Sequence, residues 1–214
     1  MSEGAVDKHT LLAAASNPRP VTMADAVVLS QLLAAAFAND PVMDYIARPG
    51  AQRQEGLRRF FYWLLKVRAI PYGEVWMSAD ASCCAVWLPP GSDASPGGIW
   101  EQIKLIPMFI RLCGFPRLGR GSAMADAMEK NHPHDPHYYL AFVAVAPRLQ
   151  GNGLGGAILE ATLKRVDAKG AAGYLENSNP KNTRLYERCG FVARKNISPP
   201  GAPPLIAMWR SPRS

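Results

Sequence analysis

The sequence predicts an α/β (α+β) chain, and three observations carry that expectation. Stretches with helical apolar spacing alternate with short strand-forming runs along the 214 residues. Glu74 to Ala79 and Cys83 to Leu88, joined by Asp80-Ala81-Ser82 and closed by Pro89-Pro90-Gly91, read as an antiparallel hairpin. The run Tyr138 to Val145 enters a glycine-rich turn that opens a helical pattern over Leu154 to Val166. The length suits one domain with a sizeable core, and the 48% hydrophobic content is that of a globular protein.

Taken in order, residues 1–17 read as a tail or loose helix, and Pro20 to Thr22 as a short first strand. Thr22 and Asp25 form a capping-box-like start, T-x-x-D. The helix after it places Leu29, Leu32, Leu33, Ala36 and Phe37 on one face and stops at Asn39-Asp40-Pro41. Gln52 to Ile70 reads as a second helix, with Leu57, Phe60, Phe61, Leu64 and Val67 as its core stripe, ended by Pro71. In the middle segment, Ile99, Ile103, Ile106 and Ile110 suggest a helix kinked or broken by Pro107, and Leu118 to Lys130 a second one. Leu140 to Val145, apolar on both faces, is expected to be a strand buried within a sheet. The following helix buries Gly155, Leu159, Leu163 and Val166 and ends at Lys169-Gly170. Then come a strand at Tyr174 to Glu176, a short helix from Thr183 to Cys189 capped by Asn182, and strands at Phe191 to Lys195 and Leu205 to Trp209.

The glycine turn is the chemically informative stretch. Val143 to Gly156 reads V-A-V-A-P-R-L-Q-G-N-G-L-G-G. The first N–H groups of a helix lack internal partners and sit at the positive end of its dipole, so they suit phosphate. Glycine lets the backbone approach a bulky anion and take positive φ. Gln150 to Gly156 is therefore expected to hold a phosphate or pyrophosphate. A Walker loop is excluded, because no Lys follows the glycines until Lys164. Gly151, Gly153 and Gly156 fit the dinucleotide fingerprint, with Glu176 near the expected distance. However, Ala146 to Gln150 separates strand from glycines, and too little chain remains for a second nucleotide-binding half, so a dinucleotide-binding oxidoreductase is the outside reading. The third pattern is Gln/Arg-x-x-Gly-x-Gly/Ala, matched by Gln150, Gly153 and Gly155.

Preceded by V-A-V-A-P and followed by N-x-x-x-Y-E-R-x-G-F (Asn182 to Phe191), this pattern resembles the GCN5-related N-acetyltransferases, the GNAT family. P-V-T-M-A-D-A near Pro20, L-L-A-A-A-F-A-N-D-P at Leu32 to Pro41, G-E-V-W at Gly73, A-V-W at Ala85, L-E-N-S-N-P-K-N at Leu175 and Y-E-R-C-G-F at Tyr186 resemble its puromycin N-acetyltransferase-like branch. The resemblance implies a GNAT fold: a mixed, mostly antiparallel central sheet flanked by helices. It implies a single domain over residues 19–214 after a tail over 1–18, with residues 92–136 as a helical insertion before the central strand. That insertion could wall a substrate pocket, meet a second copy, or simply cover core.

The resemblance further implies an acetyl-CoA-dependent N-acetyltransferase that passes acetyl to a primary amine of a small, antibiotic- or metabolite-like molecule by direct attack on the thioester. Gly151, Asn152, Gly153, Leu154, Gly155 and Gly156, with Arg148 and Gln150, would take the CoA pyrophosphate. Val143, Ala144 and Val145 would line the pantetheine arm as an added strand does, and Asn177 and Asn182 would contact it. Tyr186 would protonate the departing sulfur. Its phenol, with an ordinary pKa of about 10, stays protonated at neutral pH. Glu176 is the first candidate for the base, followed by His137 and Asp40 or a water relay, and Glu176 could instead only attract the ammonium. Asp40, Tyr45 and Glu176 are candidates for holding the amine. Asp40 reads equally as a turn residue before Pro41. The rival functions are acetylation of a protein N-terminus or lysine, and a non-catalytic acyl-CoA-binding regulatory module.

Charge and cysteine usage bound the remaining classes. The net charge is +7, but the basic residues are scattered and no run mixes them with aromatics, so a polyanionic cofactor is expected rather than nucleic acid. No apolar run reaches the roughly eighteen residues of a membrane span, and Glu3 and Asp7 with the short apolar run Leu11 to Ala15 argue against a secretory signal. The four cysteines show no C-x-x-C spacing, and adjacent Cys83 and Cys84 would face opposite sides of a strand. Reduced thiols in a cytoplasmic monomer or homodimer are the simplest reading. His132-Pro-His134-Asp-Pro-His137 has no other soft ligands, so no metal is expected.

Overall fold

The computed structural model describes residues 7–92 and 99–213. The first part of the expected tail and residues 93–98 of the expected insertion lie outside the described residues. A seven-stranded sheet of order β1-β2-β3-β4-β5-β7-β6 forms the centre, antiparallel except where β4 meets β5. This is the mixed, mostly antiparallel sheet flanked by helices that the sequence predicts.

The stretch expected as a tail or loose helix contains helix α1 (Lys8–Ser16). Leu11 and Ala15 are buried in the core layer that α7 covers, a surface the local sequence does not reveal. Strand β1 (Arg19–Pro20) pairs with β2 (Val75–Met77). The Thr22 backbone N–H donates to the Asp25 carboxylate at 2.8 Å, and Arg19 grips the same group at 3.0 and 2.7 Å. This capping box starts α2 (Ala26–Ala36), which buries Leu29, Leu32 and Leu33. Asp40 then caps α3 (Pro41–Ile46), accepting the Val42 and Met43 N–H groups at 3.0 Å each. The second expected helix is α4 (Arg53–Leu64), continued by a π-helical turn, Leu65–Ala69, that keeps both of its end residues buried.

Strands β2 and β3 (Cys83–Leu88) form the expected hairpin. Cys83 faces the core layer beneath α1 and α7, and Cys84 faces the layer beneath α2 and α4. In the middle segment, α5 (Ile99–Cys113) runs on through Pro107 where a kink or break is expected, and α6 (Leu118–Asn131) follows. One missing N–H does not stop a helix anchored along α4 by buried Leu105, Leu112 and Cys113. Gly56 makes that approach possible, since a Cβ there would stand 3.0 Å from the Arg111 carbonyl oxygen.

Strand β4 (His137–Val145) pairs with β3 from Tyr139 to Val145 but with β5 (Ala172–Asn177) only at residues 137–139. Beyond Tyr139 the two parallel strands part. Ala141, Phe142, Val143 and Val145 are therefore only half-buried, which corrects the expectation of a fully buried strand. Helix α7 (Leu154–Asp167) buries Leu154, Ile158, Leu159, Leu163 and Val166 against one face. Helix α8 (Thr183–Arg188) and strands β6 (Val192–Asn196) and β7 (Ile206–Arg210) complete the chain. Asn182 makes no capping bond. Instead Asn179 accepts the Lys181 N–H at 3.2 Å and starts the preceding turn.

Candidate active site

The site is built around the parting of β4 and β5. The Ala146 N–H donates to the Ser82 carbonyl at 2.8 Å, so the main chain of Ala144 also turns toward β3. By alternation, the main-chain groups of Val143 and Val145 point into the gap. The Val145 carbonyl accepts from Gln150 Nε2 at 3.2 Å, on the side away from β3. Ala144 is buried in the core and offers the gap no polar group.

Below the gap lies the glycine turn. Gly151 and Gly153 hold φ of 81° and 88°, the left-handed region that favours glycine. The first helical bond of α7 runs from the Ala157 N–H to the Gly153 carbonyl at 3.0 Å. The N–H groups of residues 151–156 meet no acceptor among the described residues. Asn152 Nδ2 donates to the Leu149 carbonyl at 3.1 Å and braces the turn. The buried Leu154 side chain anchors the helix, while Arg148 and Gln150 are exposed at its mouth. A Cβ on Gly155 would come to 3.5 Å from Val145 Cγ2, and one on Gly156 to 3.6 Å from Leu185 Cδ1, so the first helical turn sits close to both walls. A ring of bare N–H groups at the dipole's positive end fits an anionic pyrophosphate.

On the opposite face of the parted strands, Glu176 stands in a chamber with its side chain only 2% exposed. Its Oε1 and the Tyr174 hydroxyl are buried and find no hydrogen-bond partner among the described residues. Tyr139 and Tyr174 pair across β4 and β5, with ring centroids 5.9 Å apart. Burial, and then the Glu176 charge, raise the pKa of both phenols. His132, just past the end of α6, packs on both rings at 5.3 and 5.1 Å and places Nδ1 3.8 Å from Glu176 Oε1. His137 opens β4 and is buried. Its Nδ1 is 2.7 Å from the Asp135 carbonyl, and its Nε2 is 3.2 Å from that of His132. Burial lowers the His137 pKa, and His132 adds to the effect.

The remaining sequence candidates flank this chamber. Tyr186 is half-buried against the core layer that includes Phe191, and its pKa is raised by burial and then by Asp40 and Cys189. Both Asp40 oxygens are engaged: one caps α3 and the other accepts the Ser178 hydroxyl at 2.6 Å. Tyr45 packs on the small core cluster that includes Tyr174 and Met124, with the Arg120 guanidinium 4.9 Å over its ring. Asn177 is buried and ties β5 to α8 through the Thr183 hydroxyl at 3.0 Å, whereas Asn182 is exposed. The structure thus brings Glu176 and His137 together, and adds His132, Tyr139 and Tyr174, which the sequence reading does not single out. The two tyrosines carry a legible signal, because Tyr174 and Glu176 share a strand face by their spacing of two. No local signal marks His132.

Residues 118–191, from the start of α6 to Phe191 just before β6, match the acetyltransferase (GNAT) family. An uncharacterized N-acetyltransferase of Schizosaccharomyces pombe is 26% identical over 174 residues, 76% of this chain and 68% of the relative. Among solved structures, a Corynebacterium glutamicum protein described as histone acetyltransferase HPA2 and related acetyltransferase superposes with TM-score 0.70. It is 25% identical, and the match covers 92% of this chain and 97% of that one. In fold, and over residues 118–191 in sequence, the chain is similar to the GNAT N-acetyltransferases. Arylalkylamine N-acetyltransferase 2 of Aedes aegypti, with TM-score 0.60 and 13% identity over 92% of this chain and 99% of that one, shares the fold. The parting of β4 from β5 lies beside the turn before α7 on one face of the sheet, and Glu176 lies on the other face.

Proposed function

We propose that the protein transfers acetyl from acetyl-CoA to the primary amine of a small, antibiotic- or metabolite-like molecule, the amine attacking the thioester directly. The observation that carries this reading is the buried Glu176 carboxylate, whose Oε1 lacks a partner amid aromatic rings. A buried carboxylate whose only close neighbours are neutral phenols is costly, so this environment favours a cation that arrives with the substrate. The faces of Tyr139 and Tyr174 favour the same charge. Helices α3 and α6 pack against the cluster beside it, which favours a small acceptor over an extended protein segment.

The thioester supplies an activated acetyl group, and the rest falls to the chain's own side chains and backbone. The N–H groups of residues 151–156 hold the pyrophosphate, and Val143 and Val145 offer a strand edge to the pantetheine arm. The Val145 N–H polarises the acetyl carbonyl. Glu176 takes the ammonium proton, and Tyr186, kept protonated by burial, gives a proton to the departing sulfur. Asp40 shapes the acceptor side through its caps and its bond to Ser178. The four unpaired, buried cysteines suit a reducing cytoplasm, where we place the enzyme.

The test is thiol release from acetyl-CoA across a panel of amines, puromycin included because of the branch resemblance, alongside acetyl-CoA calorimetry. Binding with turnover of a small amine is expected. Binding without turnover of any small amine moves the acceptor to a protein N-terminus or lysine, or makes the chain a sensor. Absence of acetyl-CoA binding sinks the reading outright.

A further inference from the structure

The histidines beside Glu176 carry more information than their proximity. His137 Nδ1 lies 2.7 Å from the Asp135 carbonyl oxygen. A carbonyl only accepts, so that nitrogen bears the hydrogen, and in the neutral ring Nε2 is bare. The bare Nε2 faces His132 Nε2 at 3.2 Å. The hydrogen between them therefore sits on His132. In its neutral ring, His132 Nδ1 is then a lone pair, directed at Glu176 Oε1 across 3.8 Å. Two acceptors face one another, and Oε1 has no other partner among the described residues. The Tyr139 and Tyr174 phenols also lie against the carboxylate, so a proton arriving between His132 Nδ1 and Oε1 can be shared by the two.

We propose that His132 and Glu176 act as one proton-accepting pair for the amine, with His137 as the positioning residue that fixes the His132 tautomer. This rests on the acetyl-transfer reading. The ammonium N–H bond breaks, its electron pair stays on nitrogen for the attack, and the proton forms a new bond to His132 Nδ1 or Glu176. His132, its side chain 35% exposed, then releases that proton to solvent. His137 cannot pass it on, because its own hydrogen ends at a carbonyl. Burial keeps His137 neutral, as the tautomer argument requires. Of the other titratable neighbours, the Tyr139 and Tyr174 phenols are raised, and Asp135 opposes the effect of burial on His137 without reversing it. Asp135, Arg194 and Lys195 line a depression of about 330 Å³ with Tyr174 and Trp209.

Nitrogen-15 NMR of the full chain labelled at its four histidines tests the tautomers without any substrate. Assignment uses His132→Gln and His137→Gln. The expected result is hydrogen on Nδ1 of His137 and on Nε2 of neutral His132, with Glu176→Gln moving the His132 Nδ1 resonance. The opposite His132 tautomer, or an Nδ1 resonance indifferent to Glu176→Gln, overturns the proposal. With an amine that turns over, His132→Gln is expected to lower kcat by at least tenfold and to move the acidic limb of kcat/KM to lower pH, toward the isolated carboxylate. Acetyl-CoA affinity stays within twofold. His137→Gln, whose amide oxygen can still accept from His132, keeps the limb, and His137→Leu displaces it. An unmoved limb in His132→Gln overturns the pair as the base. The expected tautomers with no amine acetylated keep the shared-proton pair and defeat the transfer reading instead.

Discussion

Tyr186 shows how one side chain's environment limits its chemistry. Burial against the α7 core layer, with the Asp40 charge and Cys189 nearby, raises its pKa above the ordinary phenol value of about 10. It therefore keeps its proton through the range in which an amine is a competent nucleophile, and it can serve as an acid but not as a base. Tyr186→Phe removes the transferable proton while preserving the ring. We expect kcat to fall roughly 10²–10³-fold, with acetyl-CoA affinity by calorimetry within about twofold. Because the shift is upward, no alkaline limb from Tyr186 should appear below about pH 10 in the wild-type profile. Full turnover in Tyr186→Phe would remove it from the mechanism. Tyr186 and Glu176 are legible in the sequence because a motif or a strand position marks them. His132 is not, since its place depends on α6 folding back beside β5, and an H-P-H-D-P-H stretch looks like an ordinary loop.

Among the elements, the strand–turn–helix unit from β4 to α7 carries the anion-binding argument. Gly153 holds φ of 88°, and a Cβ there would meet only Leu12 Cδ2 at an ordinary 3.5 Å. The obstacle to alanine is thus conformational, at about 1–2 kcal/mol, and relieving it by rotating the backbone would turn the N–H groups of residues 151–156 away from their shared focus. Gly153→Ala is expected to weaken acetyl-CoA binding at least tenfold in calorimetry. Gly170→Ala is the matched control: φ there is 58°, with open space around the Cβ and no part in the turn. It should cost similar stability and leave binding intact. Equal binding losses in the two variants would mean that Gly153 acts through stability alone. The order of this unit can be read from sequence, because strand, glycines and helix are local patterns. The parting of β4 from β5 cannot, since an apolar run does not say where its neighbour leaves. The unbroken course of α5 through Pro107 is hidden for a similar reason, as packing on Gly56 of α4 overrides a local breaker.

For the whole molecule, the sheet separates two main core layers, one beneath α2 and α4 and the other beneath α1 and α7. The second layer carries the glycine turn at one end, so its packing sets how firmly the anion site is held. Its outer part depends on α1, a helix with a weak local signal: a short apolar run after a polar start, easily taken for a tail. Leu11 is nevertheless 5% exposed and packs in the same cluster as Leu159 and Leu163 of α7. Truncating a buried leucine removes its transfer free energy and leaves a cavity, at about 2–5 kcal/mol when the surroundings cannot collapse. For a chain of this size each kcal/mol lowers Tm by roughly 2–4 °C. Leu11→Ala is therefore expected to lower Tm by about 4–20 °C, read by calorimetry or circular dichroism. The exposed neighbour Lys8 offers the contrast: Lys8→Ala should move Tm by no more than about 2 °C, a surface-sized effect. A Leu11→Ala variant as stable as the wild type would show that α1 lies on the domain without helping to hold it together, and that the second core layer is complete without it.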